Sequence, residues 1–175
     1  LKKIPYVIYA GDSEQDGSQC GPETVRRIEY GIQFIESRAD QRFVVVLAAG
    51  TRPDKKEYPP LKEVMRSYLE RRLAVEMEHS RLSKMPDIVI AQKDGWGTLE
   101  ESIAAFEELR RLDAREAYVE SSWYHVPRIL IIWSLISLRS LKVRAVWAPS
   151  PRMFSVLKEL ASLVKLAIVW QSRKN

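Results

Sequence analysis

The segment Ser121-Ser122-Trp123-Tyr124-His125-Val126-Pro127-Arg128 gathers hydroxyls, an imidazole and a guanidinium into a short stretch of chain. An imidazole titrates near neutrality and exchanges protons readily. A guanidinium at helical spacing beyond it can grip a carboxylate or phosphate through two parallel hydrogen bonds. These residue types make His125 the candidate general acid or base, and Ser121, Ser122 and Arg128 candidate ligand contacts. The competing structural reading has His125 simply capping a helix opened by Pro127. The other histidine, His79, falls in mid-helix with no such company.

A second segment, Asp94-Gly95-Trp96-Gly97-Thr98-Leu99-Glu100-Glu101, carries glycines whose missing Cβ lets backbone amides approach a ligand. Gly95, Trp96, Thr98 and Glu101 are the candidate contacts here, with Trp96 as a stacking ring or a lid. Thr98 and Glu101 also have the spacing of a capping box, in which the threonine takes the N3 amide and the glutamate returns to the cap amide. Gly11-Asp12 and Gly50-Thr51 join the candidates by position, each closing an apolar run. The glycine spacing matches neither a dinucleotide fingerprint nor a Walker loop, and no Gly-x-Ser-x-Gly elbow occurs. No cluster has transition-metal ligand spacing, a carboxylate-held Mg²⁺ stays open, and no cofactor is specified.

Five apolar runs position these loops. Ile4–Ala10 and Phe43–Ala49 are continuous apolar runs with little alternation, as strands buried on both faces are, and Ile88–Ala91, Ala117–Glu120 and Val143–Trp147 are the third, fourth and fifth strands. Helical patterns fall between them: Pro22–Ser37, a stretch from Leu61 through Leu73 towards Leu82, Thr98–Leu112, Pro127–Leu138, and finally Pro151–Leu166. Strand and helix alternate throughout. That pattern predicts one three-layer α/β domain over residues 1–175, Rossmann-like, with a five-stranded mostly parallel sheet and helices on both faces. Ligands of such sheets bind beyond the carboxyl ends of the strands, where the candidate loops converge. The order 3-2-1-4-5 is expected by analogy.

With 175 residues, 46% of them hydrophobic, the chain can bury a full core. Its net charge of +5 would suit an anionic partner, but the basic residues are dispersed among 23 acidic ones, so nucleic acid is disfavoured. Cys20 is the lone cysteine, which rules out an intrachain disulfide and suits a reducing, cytoplasmic setting. The most apolar run, Ile129–Leu138, falls short of the roughly 20 residues that span a bilayer. The first residue is Leu1 rather than Met, which leaves room for an upstream anchor. Oligomeric state is not readable.

The motif residues resemble the bacterial YdcF/SanA/ElyC-type family, a domain of unknown function, over roughly Tyr6 to Pro149. Ser121 to Arg128 looks like its Thr-Ser-x-Tyr-His-x-x-Arg signature, and Thr98-Leu99-Glu100 like its Thr-x-Glu-Asn motif. Arg27-Ile28 resembles its first-helix Arg-Leu, and Met65 with Tyr68-Leu69 its second-helix pattern. The chain departs from that family where Glu101 replaces the asparagine, where Ala48-Ala49-Gly50 replaces Ser-Gly-Gly, and where Leu61 replaces a glutamate. A carboxylate at 101 offers no donor, which changes the ligand atoms it can meet. The resemblance implies a Rossmann-like fold, a pocket at the carboxyl edge and Arg27 as a further ligand contact, in a divergent member of a family often tied to the envelope.

The expected function is binding of an anionic small molecule, nucleotide- or adenosyl-like, either as a hydrolase or transferase with a histidine acid/base or as a site without turnover. The alternative is a non-catalytic interaction module in envelope or regulatory biology.

Overall fold

The computed structural model describes residues 3–12, 17–38, 40–50, 58–82, 84–91, 97–137, 140–151, 159 and 161–162. Within them the chain runs β1 (Ile4–Tyr9), α1 (Pro22–Glu36), β2 (Phe43–Ala48), α2 (Leu61–Glu78), β3 (Asp87–Ile90), α3 (Thr98–Arg111), β4 (Glu116–Ser122), α4 (Val126–Ser137) and β5 (Lys142–Ala148). All four strand pairings are parallel, and the order is β3-β2-β1-β4-β5. This is the expected Rossmann-like arrangement, with β1 central between β2 and β4. Of the predicted Pro151–Leu166 helix, Glu159, Ala161 and Ser162 are helical, and most of the rest lies outside the described residues.

The lack of alternation in β1 and β2 has a direct physical cause, because each face of the sheet meets a helix layer. Tyr6, Ile8, Val45 and Leu47 pack against Ile28 and Ile32 of α1 and Met65 and Leu69 of α2. Val7, Tyr9, Val46 and Ala48 point the other way, towards Leu109 of α3 and Ile129 and Trp133 of α4. Side chains of this size stabilise by about 1.5–3 kcal/mol each when fully buried. The alternation of β4 sends neighbouring residues to opposite layers. Glu120 and Ser122 therefore face α1, while Val119 and Ser121 face α3 and α4.

Two boundaries differ from the sequence reading by more than one residue. The second helix ends at Glu78 rather than nearing Leu82, because Ser80 adopts a left-handed φ of 57° and the His79 ring turns back to the Val75 carbonyl at 2.8 Å. The fourth strand runs on through Ser121 and Ser122, which pair with Trp147 and Ala148 of β5. The two serines thus belong to a strand end and not to a loop. Among the described residues no helix is long and apolar enough to cross a membrane.

Candidate functional site

The α1 side of the site begins where β1 ends. Thr24 accepts hydrogen bonds on its hydroxyl from the amides of Gly11 and Asp12, at 2.9 and 2.8 Å. The Asp12 carboxylate in turn accepts from the Glu23 and Thr24 amides, at 3.0 and 3.1 Å, and so caps α1 from across the loop. A Cβ on Gly11 would fall 2.6 Å from Glu23 Cγ, so this close approach of strand to helix requires glycine. Gly11 and Asp12 are accordingly the parts that lock α1 in place.

Glu23 and Arg27, one helical turn apart on α1, are both almost completely buried against Ser122. Arg27 donates from Nε to Ser122 Oγ at 2.9 Å and from Nη1 to the carbonyls of Tyr9 and Ala10 at 3.1 and 2.6 Å. Ser122 donates to Glu23, which also accepts from Arg26, Tyr124 and Ser150. Below this layer lies Glu120, wholly buried, which accepts from the Tyr6 hydroxyl at 2.7 Å on one oxygen while its other oxygen has no hydrogen-bond partner. Burial pushes its carboxyl up to about 8, so it is a neutral acid at pH 7.

The α4 side is built on the tight turn that follows β4, closed by a 2.8 Å bond from the His125 amide to the Ser122 carbonyl. The turn folds the buried His125 ring back so that Nδ1 lies 2.8 Å from Ser121 Oγ and Nε2 lies 3.1 Å from Thr98 Oγ1. One helical turn on, Arg128 brings Nη2 to 2.6 Å from His125 Nε2 and donates to Thr98 Oγ1 at 2.9 Å. A guanidinium has only donors, so Nε2 is the acceptor and the ring proton resides on Nδ1, donated to Ser121. Burial, followed by the charges of Arg27 and Arg128, keeps the imidazole pKa well below its ordinary value.

Thr98 is held at this junction by a chain of hydrogen bonds through three elements. The Trp133 indole donates to the Tyr9 hydroxyl at 2.9 Å, Tyr9 and Ser102 share a bond of 2.5 Å, and Ser102 donates to the Thr98 carbonyl at 2.6 Å. The expected capping box is not formed, and this corrects the sequence reading. Gly97 is the N-cap, with a φ of 121° that glycine tolerates, and no side chain caps the helix. Thr98, displaced to the first helical position, is free to reach across to α4. Glu101 does not return to its own helix but accepts from the Gly50 amide at the end of β2.

Glu101 and Glu159 complete the electrostatics. Burial raises the Glu101 carboxyl to about 7, opposed by the Gly50 amide, Arg27 and Arg128. Glu159 places Oε2 at 3.0 Å from Arg128 Nε, with side-chain exposures of only 18% for the arginine and 14% for the glutamate. These two atoms are buried and share no directed hydrogen bond, so the contact is an ion pair alone.

The structure thus brings together Thr98, Ser121, His125 and Arg128 on one side and Gly11, Asp12, Arg27 and Ser122 on the other, with Gly50 and Glu101 linking β2 to the same edge. Thr51, Gly95 and Trp96 lie outside the described residues. Glu23, Glu120 and Glu159 are additions that the sequence reading missed. A signal existed for two of them: Glu23 shares the i, i+4 stripe of Arg27, and Glu120 interrupts an apolar strand buried on both faces. Among the described residues no group of three or more His, Cys, Asp or Glu could hold a metal ion.

No family model matches the chain, and no curated protein does. Among solved structures, a protein of the universal stress protein family from Burkholderia pseudomallei is similar, with 14% sequence identity and a TM-score of 0.42, over 83% of this chain and 96% of that one.

Proposed function

We propose that this chain binds an anionic small molecule, nucleotide- or adenosyl-like, at the carboxyl edge of its sheet, with Arg128 as the anion anchor. One observation carries the reading: Arg128 is oriented from behind by Thr98 and His125, and its Nε edge already faces a carboxylate. A pre-oriented guanidinium loses little freedom when it meets an anion, which is the condition for tight recognition. Arg27, which the family resemblance offered as a second contact, has Nε and Nη1 committed to Ser122 and to backbone carbonyls, and so acts as a brace. The ring of the ligand would meet Trp123, which is exposed and fixed by a 2.9 Å bond from its indole N–H to the Ser150 carbonyl.

The catalytic form of this reading is a hydrolase or transferase acting on a phosphate or glycosyl substrate. His125 was the expected acid/base. Its neutral, doubly tethered ring supports a positioning role, whereas Glu101, held near neutrality, is the group suited to carry a proton. This assignment agrees with a divergent member of the YdcF/SanA/ElyC-type family, since 101 is where the motif departs. The test is a thermal-shift comparison of phosphate, AMP and adenosine. Stabilisation by phosphate and AMP, and by AMP the more, is expected, and a ligand at 100 times its Kd adds about 2.7 kcal/mol. No shift with any of the three contradicts the reading and favours the interaction module.

A further inference from the structure

We propose that Glu159 is a built-in competitor for the anion seat, occupying Arg128 in the free protein and giving way to a ligand that carries a single anionic group. The inference rests on the anion-site reading above and concerns how that site is regulated.

The geometry separates this ion pair from a structural one elsewhere in the chain. Arg72 meets Glu29 through two directed hydrogen bonds, Nε to Oε1 at 2.7 Å and Nη2 to Oε2 at 3.0 Å. This fork-on-carboxylate pairing fixes α2 to α1. Arg128 and Glu159 have the proximity without the alignment: the atoms are 3.0 Å apart, yet neither has a hydrogen-bond partner. The attraction is Coulombic and lacks the directional part that a better-placed acceptor would gain. A phosphate or carboxylate aligned on Nε would supply the missing bond, while Arg128 kept its hold on Thr98 and His125. Glu159, partly exposed, would recover hydration when released.

The charge around the seat also defines what replaces Glu159. Glu101 is near enough for its charge to act on Arg128, and Arg27 is tied to Ser122 and to backbone carbonyls. A ligand with one anionic head, such as a phosphate monoester or a carboxylate, therefore finds one guanidinium to pair with. A polyphosphate would crowd Glu101.

The decisive experiment is calorimetric titration of the full chain with inorganic phosphate and with AMP, using wild type, Glu159→Gln, Glu159→Asp and the double variant Glu159→Gln/Arg128→Lys. Removing the competitor is expected to tighten both ligands about tenfold. Drawing the carboxylate back by one methylene gives a smaller gain, and serves on its own if Glu159→Gln melts early. Replacing Arg128 abolishes the gain. Binding by wild type that Glu159→Gln and Glu159→Asp leave equal or weaken overturns the competitor and leaves the anion site standing. No binding by any variant overturns the anion site and the competitor together.

Discussion

Ser121 and Ser122 are adjacent in the chain and point to opposite faces of the sheet, and the two sides they open onto are finished differently. On the α1 side, Ser122 joins Arg27, Glu23 and two backbone carbonyls in a network closed to solvent, whose one loose oxygen is sealed beneath it on Glu120. On the α4 side, Ser121 leads through His125 to Arg128, whose ion pair with Glu159 lies nearer the surface and lacks a directed bond. Buried polar groups that are fully paired rigidify a fold, while an incompletely paired group near solvent is where a ligand can still gain free energy. The first side is a brace. The second is the proposed seat.

The largest effect should come from breaking the brace. Arg27→Ala removes the buried donor of Ser122 and of the Tyr9 and Ala10 carbonyls and leaves Glu23 with Arg26 alone as its opposite charge, and should destabilise by about 3–5 kcal/mol in denaturant melts. A loss under 1 kcal/mol would mean that the α1 side is not structural. Anion affinity, measured under conditions where the variant is folded, should change far less than stability does.

Glu120 gives the brace a pH signature. Its folded pKa of about 8 stands above the ordinary 4.5, so the folded state binds the extra proton between those values and stability falls as pH rises through that window. Glu120→Gln removes this slope and should stabilise at pH 8 by on the order of 4 kcal/mol, since each unit of difference amounts to about 1.4 kcal/mol. A residual slope ending near pH 7 would belong to Glu101. Melts from pH 4 to 8 that are parallel for wild type and variant would contradict the assignment.

The sequence showed much of this division but not its logic. The unbroken apolar runs of β1 and β2 announced a doubly covered parallel sheet, and the Ser-Ser-Trp-Tyr-His stretch lies, as expected, at the carboxyl end of β4. The capping box was the instructive error. Thr98 and Glu101 have its spacing, yet a positive φ at Gly97 moved the cap by one residue, and backbone dihedrals are not written in residue spacing. Glu159 escaped notice because an isolated helical glutamate reads as a solvated face. Only its contact with Arg128, distant in sequence, shows otherwise.

A smaller effect sharpens the same point at Thr98. Thr98→Ala removes an acceptor from Arg128 without removing a cap, and should cost about 1 kcal/mol in stability. It should also weaken anion binding, because Arg128 loses one of its two tethers. Thr98→Ser keeps the hydroxyl and should restore both. A serine variant as impaired as the alanine would show that the methyl group, and not the hydroxyl, is what matters.

The central claim is that Arg128 is the anion seat, and titration of wild type and Arg128→Lys with AMP tests it most directly. Lysine keeps the charge but cannot bond Thr98, His125 and a ligand through one rigid plane. The account predicts that AMP affinity falls about tenfold, equivalent to about 1.4 kcal/mol, beside a loss of ligand-free stability of about 1–2 kcal/mol from the Thr98 and His125 bonds. Undiminished AMP binding by the lysine variant would contradict it.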